Sequence, residues 1–104
     1  MKALLAYSTV PNETTAEVIA RTIVEERLAA CANIIPGMRS LYWWAGALEE
    51  AHEVVLLFKT RRDLADKLSA RIKELHPYEC PCIVLTDIRP GYLPYFEWLV
   101  SETD

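Results

Sequence analysis

The densest run of chemistry-bearing side chains is HPYECPC, where His76, Glu79, Cys80 and Cys82 place an imidazole, a carboxylate and two thiols within seven positions. In extended backbone, Cys80 and Cys82 project to the same side, and thiolates select soft ions such as Cu(I), or Zn(II) together with imidazole. Their one-residue separation is not the two-residue spacing of a zinc knuckle, and small buried thiols pack well as plain core residues. Both readings stand for Cys80 and Cys82. Cys31, which falls between the first helical segment and a long strand, has the same two readings, core thiol or metal ligand. His76 stands before Pro77, where it could also close a helix with its ring against the negative end of the dipole. His52 reads as a solvated side chain, with metal binding in an assembly as the lesser alternative.

A second set is cationic. Lys59, Arg61 and Arg62 precede a helical segment, and cations at a helix start oppose the macrodipole. Either they form salt bridges across a subunit contact or they hold a phosphate or carboxylate. With Trp43 and Tyr92 as aromatic walls, Lys59 and Arg61 define the alternative to metal binding, a cleft for a small anionic ligand between subunits. Turnover has little support. The sequence holds no glycine-rich phosphate loop or nucleophile elbow, and Ser8, Ser40 and Ser69 have no evident His and acid partners, so the expectation is a binding protein and not an enzyme.

The 104 residues suit one domain, 1–104, with a modest core that would gain from association. Eleven Lys and Arg against fifteen Asp and Glu give a net charge of -4, which argues against nucleic acid or an anionic membrane as a partner. The opening MKALLAYSTV reads as a strand, being too short to span a bilayer and lacking a leader's cleavage site. Three cysteines, an odd number without a secreted disulfide framework, favour a reducing compartment, and the cytoplasm is the expected location.

These side chains need elements to position them. Ala3 to Val10 is a near-continuous apolar run, a buried strand ended by Pro11. Asn12 can cap a helix, Thr14 and Glu17 have capping-box spacing, and Ala16, Ile19, Ala20, Ile23 and Val24 extend a helical face to about Ala29 or Ala30. Asn33 to Thr60 then reads as two long strands around a turn at Ala45, Gly46 and Ala47, with a bulge or bend at Pro36 and Gly37. At roughly 3.3 Å per residue each arm is on the order of 45 Å long, so the ribbon should overhang a compact domain about 35 Å across. Tyr42, Trp43 and Trp44 on that overhang are interface anchors, because an exposed aromatic ribbon calls for another chain. Val54 to Phe58 is apolar without alternation, so both faces of that strand should be buried, one of them by a neighbouring subunit's sheet. A second helix, with Thr60 and Asp63 at capping-box spacing and Leu64, Leu68, Ile72 and Leu75 on one face, should stop before Pro77. Cys82 to Ile88 is a fourth strand, and Pro94 opens a last helix carrying Tyr95, Phe96, Leu99 and Val100. The order is that of an α+β ferredoxin-like βαββαβ sandwich with a long hairpin between its second and third strands and a C-terminal helix.

The strings LAACANIIPG (28–37), SLYWWAGALEE (40–50), EVVLLFKTRRDL (53–64), KELHPYECPCIV (73–84) and GYLPYFEWL (91–99) closely resemble the CutA family of divalent-cation tolerance proteins. The resemblance covers almost the whole chain. It implies a ferredoxin-like subunit assembled as a homotrimer through its hairpins, a role in divalent-metal tolerance, and copper or another divalent metal as the bound ion. Carried onto this sequence, it places the metal bet on Cys31, His76, Glu79, Cys80 and Cys82. Two departures stand out. Ala45 and Ala47 occupy ribbon-turn positions where the family commonly has a charged residue and a Lys, and Cys80 and Cys82 flank Pro81 where it usually has an aliphatic residue or Thr and then Glu.

Overall fold

The computed structural model describes residues 2–104. Its elements are β1 (Ala3–Val10), α1 (Glu13–Glu25), β2 (Cys31–Trp44), β3 (Ala47–Arg61), a single 3-10 turn (Arg62–Leu64), α2 (Ala65–Leu75), β4 (Ile83–Ile88) and α3 (Leu93–Ser101). The four strands form one antiparallel sheet in the order β2-β3-β1-β4, which is the ferredoxin-like arrangement expected.

One sheet face carries α1 and α2. Leu4, Ala6 and Val10 of β1 and Val54, Leu56 and Phe58 of β3 meet Ala16, Ile19 and Ile23 of α1 and Leu68 and Ile72 of α2 in one buried cluster. The opposite face is covered at one end only, where Phe96 and Leu99 of α3 pack on Ala3 and Ile88. Beyond α3 that face is open, and Ile35 and Val84 are exposed on it. Val54 to Phe58 is buried or half-buried on both faces within this single chain, since Val55, flanked in register by Thr9 and Ile35, is already 8% exposed. The two-faced apolar run therefore does not by itself require a neighbour's sheet.

The overhang does. The molecule measures 45 × 24 × 23 Å, and every residue from Leu41 to Glu50 lies exposed on the projecting ribbon. Its turn is two residues, Ala45 and Gly46, with φ of 50° and 82°, and Ala47 already pairs with Trp44. Two positive φ values mark the turn geometry whose twist matches a tight hairpin. The bend at Pro36 and Gly37 is a bulge: Ile35 opposes Val55 and Met38 opposes Glu53, so two residues of β2 face one of β3, with Gly37 at φ 81°.

Three expectations about helix ends need correction. α1 stops at Glu25, short of Ala29, because Arg27 takes a left-handed φ of 63° and the amides of Leu28 and Arg27 turn back to the carbonyls of Ile23 and Val24. That pattern closes a helix whatever follows, and Leu28 completes it by packing on the core. At the start of α1 the cap is Asn12, whose Oδ1 accepts from the Thr15 amide at 2.8 Å, while Glu17 pairs with Arg21 instead of serving a capping box on Thr14. Thr60 caps nothing; it lies in β3, fully buried, and the 3-10 turn intervenes before α2.

Candidate functional site

The base of the ribbon carries the most constrained polar cluster. Glu53 is the first buried residue of β3 on the way in from the tip, and it shares the open-face parity of Val55 and Leu57. Its Oε2 accepts the Tyr78 hydroxyl at 2.9 Å. Burial, then the hydrogen bond to Glu53 and its charge, with a smaller contribution from Tyr42, push the Tyr78 phenol up to about 12. Cys82 lies in the same corner, where burial, and secondly the Glu53 charge, push its thiol above the ordinary value. The backbone of Cys82 is held by Ser8 Oγ, which donates to its carbonyl at 2.6 Å.

His76 is structural in this chain. It ends α2 in extended backbone ahead of Pro77, as the proline requires. Nε2 lies 2.7 Å from the Thr9 carbonyl and Nδ1 accepts the Tyr78 amide at 3.1 Å, which fixes a neutral ring with its hydrogen on Nε2. Both nitrogens are occupied, so neither the dipole-capping reading nor a ligand role fits this geometry. Instead His76 ties the HPYEC segment to β1, with its ring 4.7 Å from that of Tyr78.

The remaining metal candidates do not gather in one subunit. Cys31 pairs in register with Lys59 on edge strand β2, and its Sγ is 3.7 Å from the Tyr95 hydroxyl. Cys82 precedes the opposite edge strand, three strand spacings across and several residues along, so the two thiols are roughly 20 Å apart. Cys80 is exposed, and Glu79 is exposed with its carbonyl accepting from Lys73 Nζ at 3.2 Å. Among the described residues, no group of three or more His, Cys, Asp or Glu side chains is placed to hold a metal ion. His52 is exposed opposite Arg39, five pairs in from the ribbon turn.

The expected anion cleft does not assemble within one chain either. Lys59 Nζ sits 3.4 Å from the Tyr95 hydroxyl and 5.7 Å from the centre of that ring, so Tyr95, and not Tyr92, is its aromatic neighbour. Trp43 is paired with Leu48, eleven residues along β3 from Lys59, or roughly 36 Å away. Tyr92 is exposed at the N-cap of α3. Arg61 instead turns toward Asp63, and Arg62 lies 3.4 Å from Asp87.

Reading the sequence alone passes over Glu53, Tyr78 and Tyr95. Glu53 was accessible as an acid on the inward parity of an apolar strand. Its pairing with Tyr78, twenty-five positions away, was not.

The sequence matches the family described as CutA1 divalent ion tolerance protein over residues 4–102. The chain belongs to this family. It is 41% identical over 101 residues to "Protein CutA 1, chloroplastic" of Oryza sativa, covering 97% of this chain but 57% of the rice protein's length. The divalent-cation tolerance protein CutA of Thermus thermophilus is 48% identical over 95 residues, covering 91% of this chain and 92% of the relative. Its crystallised counterpart superposes with a TM-score of 0.94 at 45% identity over 98% of this chain and 99% of that one. The CutA of Archaeoglobus fulgidus, described as periplasmic, superposes with a TM-score of 0.94 at 33% identity, covering 98% of this chain and 99% of that chain. CutA1 relatives are thus described as chloroplastic in one case and periplasmic in another, so membership does not fix a compartment for this chain. No helix among the described residues is long and apolar enough to cross a membrane.

Proposed function

We propose that this protein acts in divalent-cation tolerance as a homotrimer that binds a divalent metal ion such as copper, without catalytic turnover. The near full-length match to a divalent ion tolerance family carries the reading. Two features support its details. The projecting ribbon exposes Leu41, Trp43, Trp44 and Leu48, apolar surface that a second and third copy would cover. The Glu53–Tyr78–Cys82 corner lies at the base of that ribbon, where a neighbouring subunit would bring further donors. A site of this kind is completed between subunits, which accounts for a donor set that does not close within one chain. Cys82 is the proposed sulfur ligand and Glu53 the proposed oxygen ligand, with Cys31 facing a different neighbour. The three free cysteines fit a reducing compartment, and we place the protein in the cytoplasm.

The test is elemental analysis of the purified oligomer, followed by copper titration under reducing conditions of the wild type and the Cys82→Ser, Cys80→Ser and Glu53→Gln variants, with oligomeric state followed in parallel. The expected result is a loss of at least about tenfold in affinity for Cys82→Ser and a smaller loss for Glu53→Gln. Unchanged affinity in both would overturn the assignment. Because the Cys82 thiol titrates above its ordinary value, metal must displace its proton, and affinity should rise as pH increases toward that value.

A further inference from the structure

Away from the ribbon, the start of β1, the end of β3 and α3 enclose an open cavity of about 560 Å³ lined by Lys2, Arg61, Arg62, Asp63 and Val100. Three of the chain's eleven Lys and Arg meet there, although the protein as a whole carries a net charge of -4. The lining is therefore locally positive, three cations against one carboxylate. The sequence does not scatter them there by chance of the turn alone, because the Arg62 amide bonds to the Lys2 carbonyl at 3.0 Å and locks the two segments together.

These cations are poorly compensated from within. Arg61 Nε is buried and lies 3.2 Å from Asp63 Oδ1, yet its hydrogen is not directed at that oxygen, so the buried N–H has no hydrogen-bond acceptor. Orphaned buried donors are rare because each costs the desolvation of a polar group. Arg62 Nε is 3.4 Å from Asp87, with both side chains more than half exposed, a contact of little worth in water. Lys2 makes no ion pair among the described residues.

We propose that this cavity binds a small phosphate monoester. Two guanidinium groups and an ammonium around one opening match a doubly charged oxyanion, the guanidinium fork pairing with phosphate oxygens and the lysine acting as a point charge. The volume suits a small metabolite, larger than the phosphate itself. Val100 and the aliphatic stems of Lys2 and Arg61 supply an apolar wall for the organic part. Asp63 competes with the ligand for Arg61. The site is separate from the Glu53–Cys82 corner, and its occupancy does not depend on metal.

Calorimetric titration of the full-length oligomer with glycerol 3-phosphate, and with inorganic phosphate in parallel, tests this. Saturable binding is expected, weakened about tenfold or more by Arg61→Gln and by Lys2→Gln, unchanged by Lys67→Gln on the exposed face of α2, and tightened by Asp63→Asn. Lys2 is exposed and precedes the sheet, so Lys2→Gln keeps the test decisive should Arg61→Gln fail to fold. Absence of saturable binding to the wild type, or binding indifferent to Lys2→Gln, would overturn the proposal. Copper affinity, tied above to Cys82, is measured on the same variants and is expected to be unchanged.

Discussion

The Tyr78 hydroxyl donates to Glu53 Oε2 across 2.9 Å, joining the segment after α2 to the point where the ribbon leaves the sheet. Glu53 is 7% exposed, so its carboxyl group has few alternatives to this partner. Tyr78→Phe should therefore cost about 1–3 kcal/mol, the penalty for leaving a buried acceptor without its donor. Urea unfolding of the variant against the wild type reads this directly, and an unchanged midpoint would mean that water replaces the phenol at no cost.

The same contact sets an alkaline limit. The phenol titrates at about 12 in the folded protein and near its ordinary value of about 10 when unfolded. Below about pH 10 both states keep the proton and the stabilisation is complete; between about 10 and 12 only the unfolded chain loses it, so stability falls as pH rises. Melting temperatures measured from neutral to strongly alkaline pH should drop less steeply in Tyr78→Phe. Cys82→Ser is the needed control, because the raised thiol pushes stability in the same direction at lower pH.

Thr60 offers a stabilising change. It is fully buried on the helix-covered face, and its Oγ1 has no hydrogen-bond partner. Thr60→Val keeps the shape and removes the stranded hydroxyl, which should raise stability by about 1 kcal/mol. Differential scanning calorimetry showing a lower melting temperature would point instead to a buried water serving that oxygen.

At the ribbon turn, Ala45 holds a φ of 50° ahead of Gly46. Asparagine tolerates that region better than alanine, so Ala45→Asn should stabilise the hairpin by about 0.5–1 kcal/mol. Amide exchange at Trp44 and Ala47, the pair that closes the turn, is the local measure: protection should increase.

Trp43 and Leu48 face one another in register on the ribbon and are 74% and 60% exposed. Replacing both with Ser removes apolar contact area from the proposed assembly and little from the protomer's core. Sedimentation velocity should then show the oligomer dissociating at concentrations where the wild type stays associated, with the far-UV spectrum retained. A trimer as tight as the wild type would exclude this face from the interface.

Much of the fold was legible because its signals are local. The β1 run, the Pro36-Gly37 bulge, the end of α2 before Pro77 and the overhanging ribbon each follow from a few adjacent residues. The end of α1 was hidden because Arg27, not glycine, takes the left-handed position, at a cost of roughly 1 kcal/mol that the flanking packing of Leu28 offsets. The start of α2 was misplaced because Thr60 and Asp63 have the spacing of a cap while the β1–β3 pairing holds Thr60 in the sheet. The site was least legible of all. Cys31 and Cys82 look like partners in a composition, but the strand order sends them to opposite edges, and only the tertiary path brings Tyr78 to Glu53 and Lys2 to Arg61.

The bulge at Pro36 and Gly37 works on the ribbon as an inserted letter works on a reading frame. Before it, Asn33 and Ile35 share a side with Leu57 and Val55; after it, Met38, Ser40, Tyr42 and Trp44 inherit that side, opposite Glu53, Ala51, Glu49 and Ala47, while Trp43 is turned the other way. Deleting one residue there would leave composition and hairpin length almost untouched yet exchange the two aromatic faces of the outer ribbon. Drift in this family is thus freer to substitute along the ribbon than to shorten it by one.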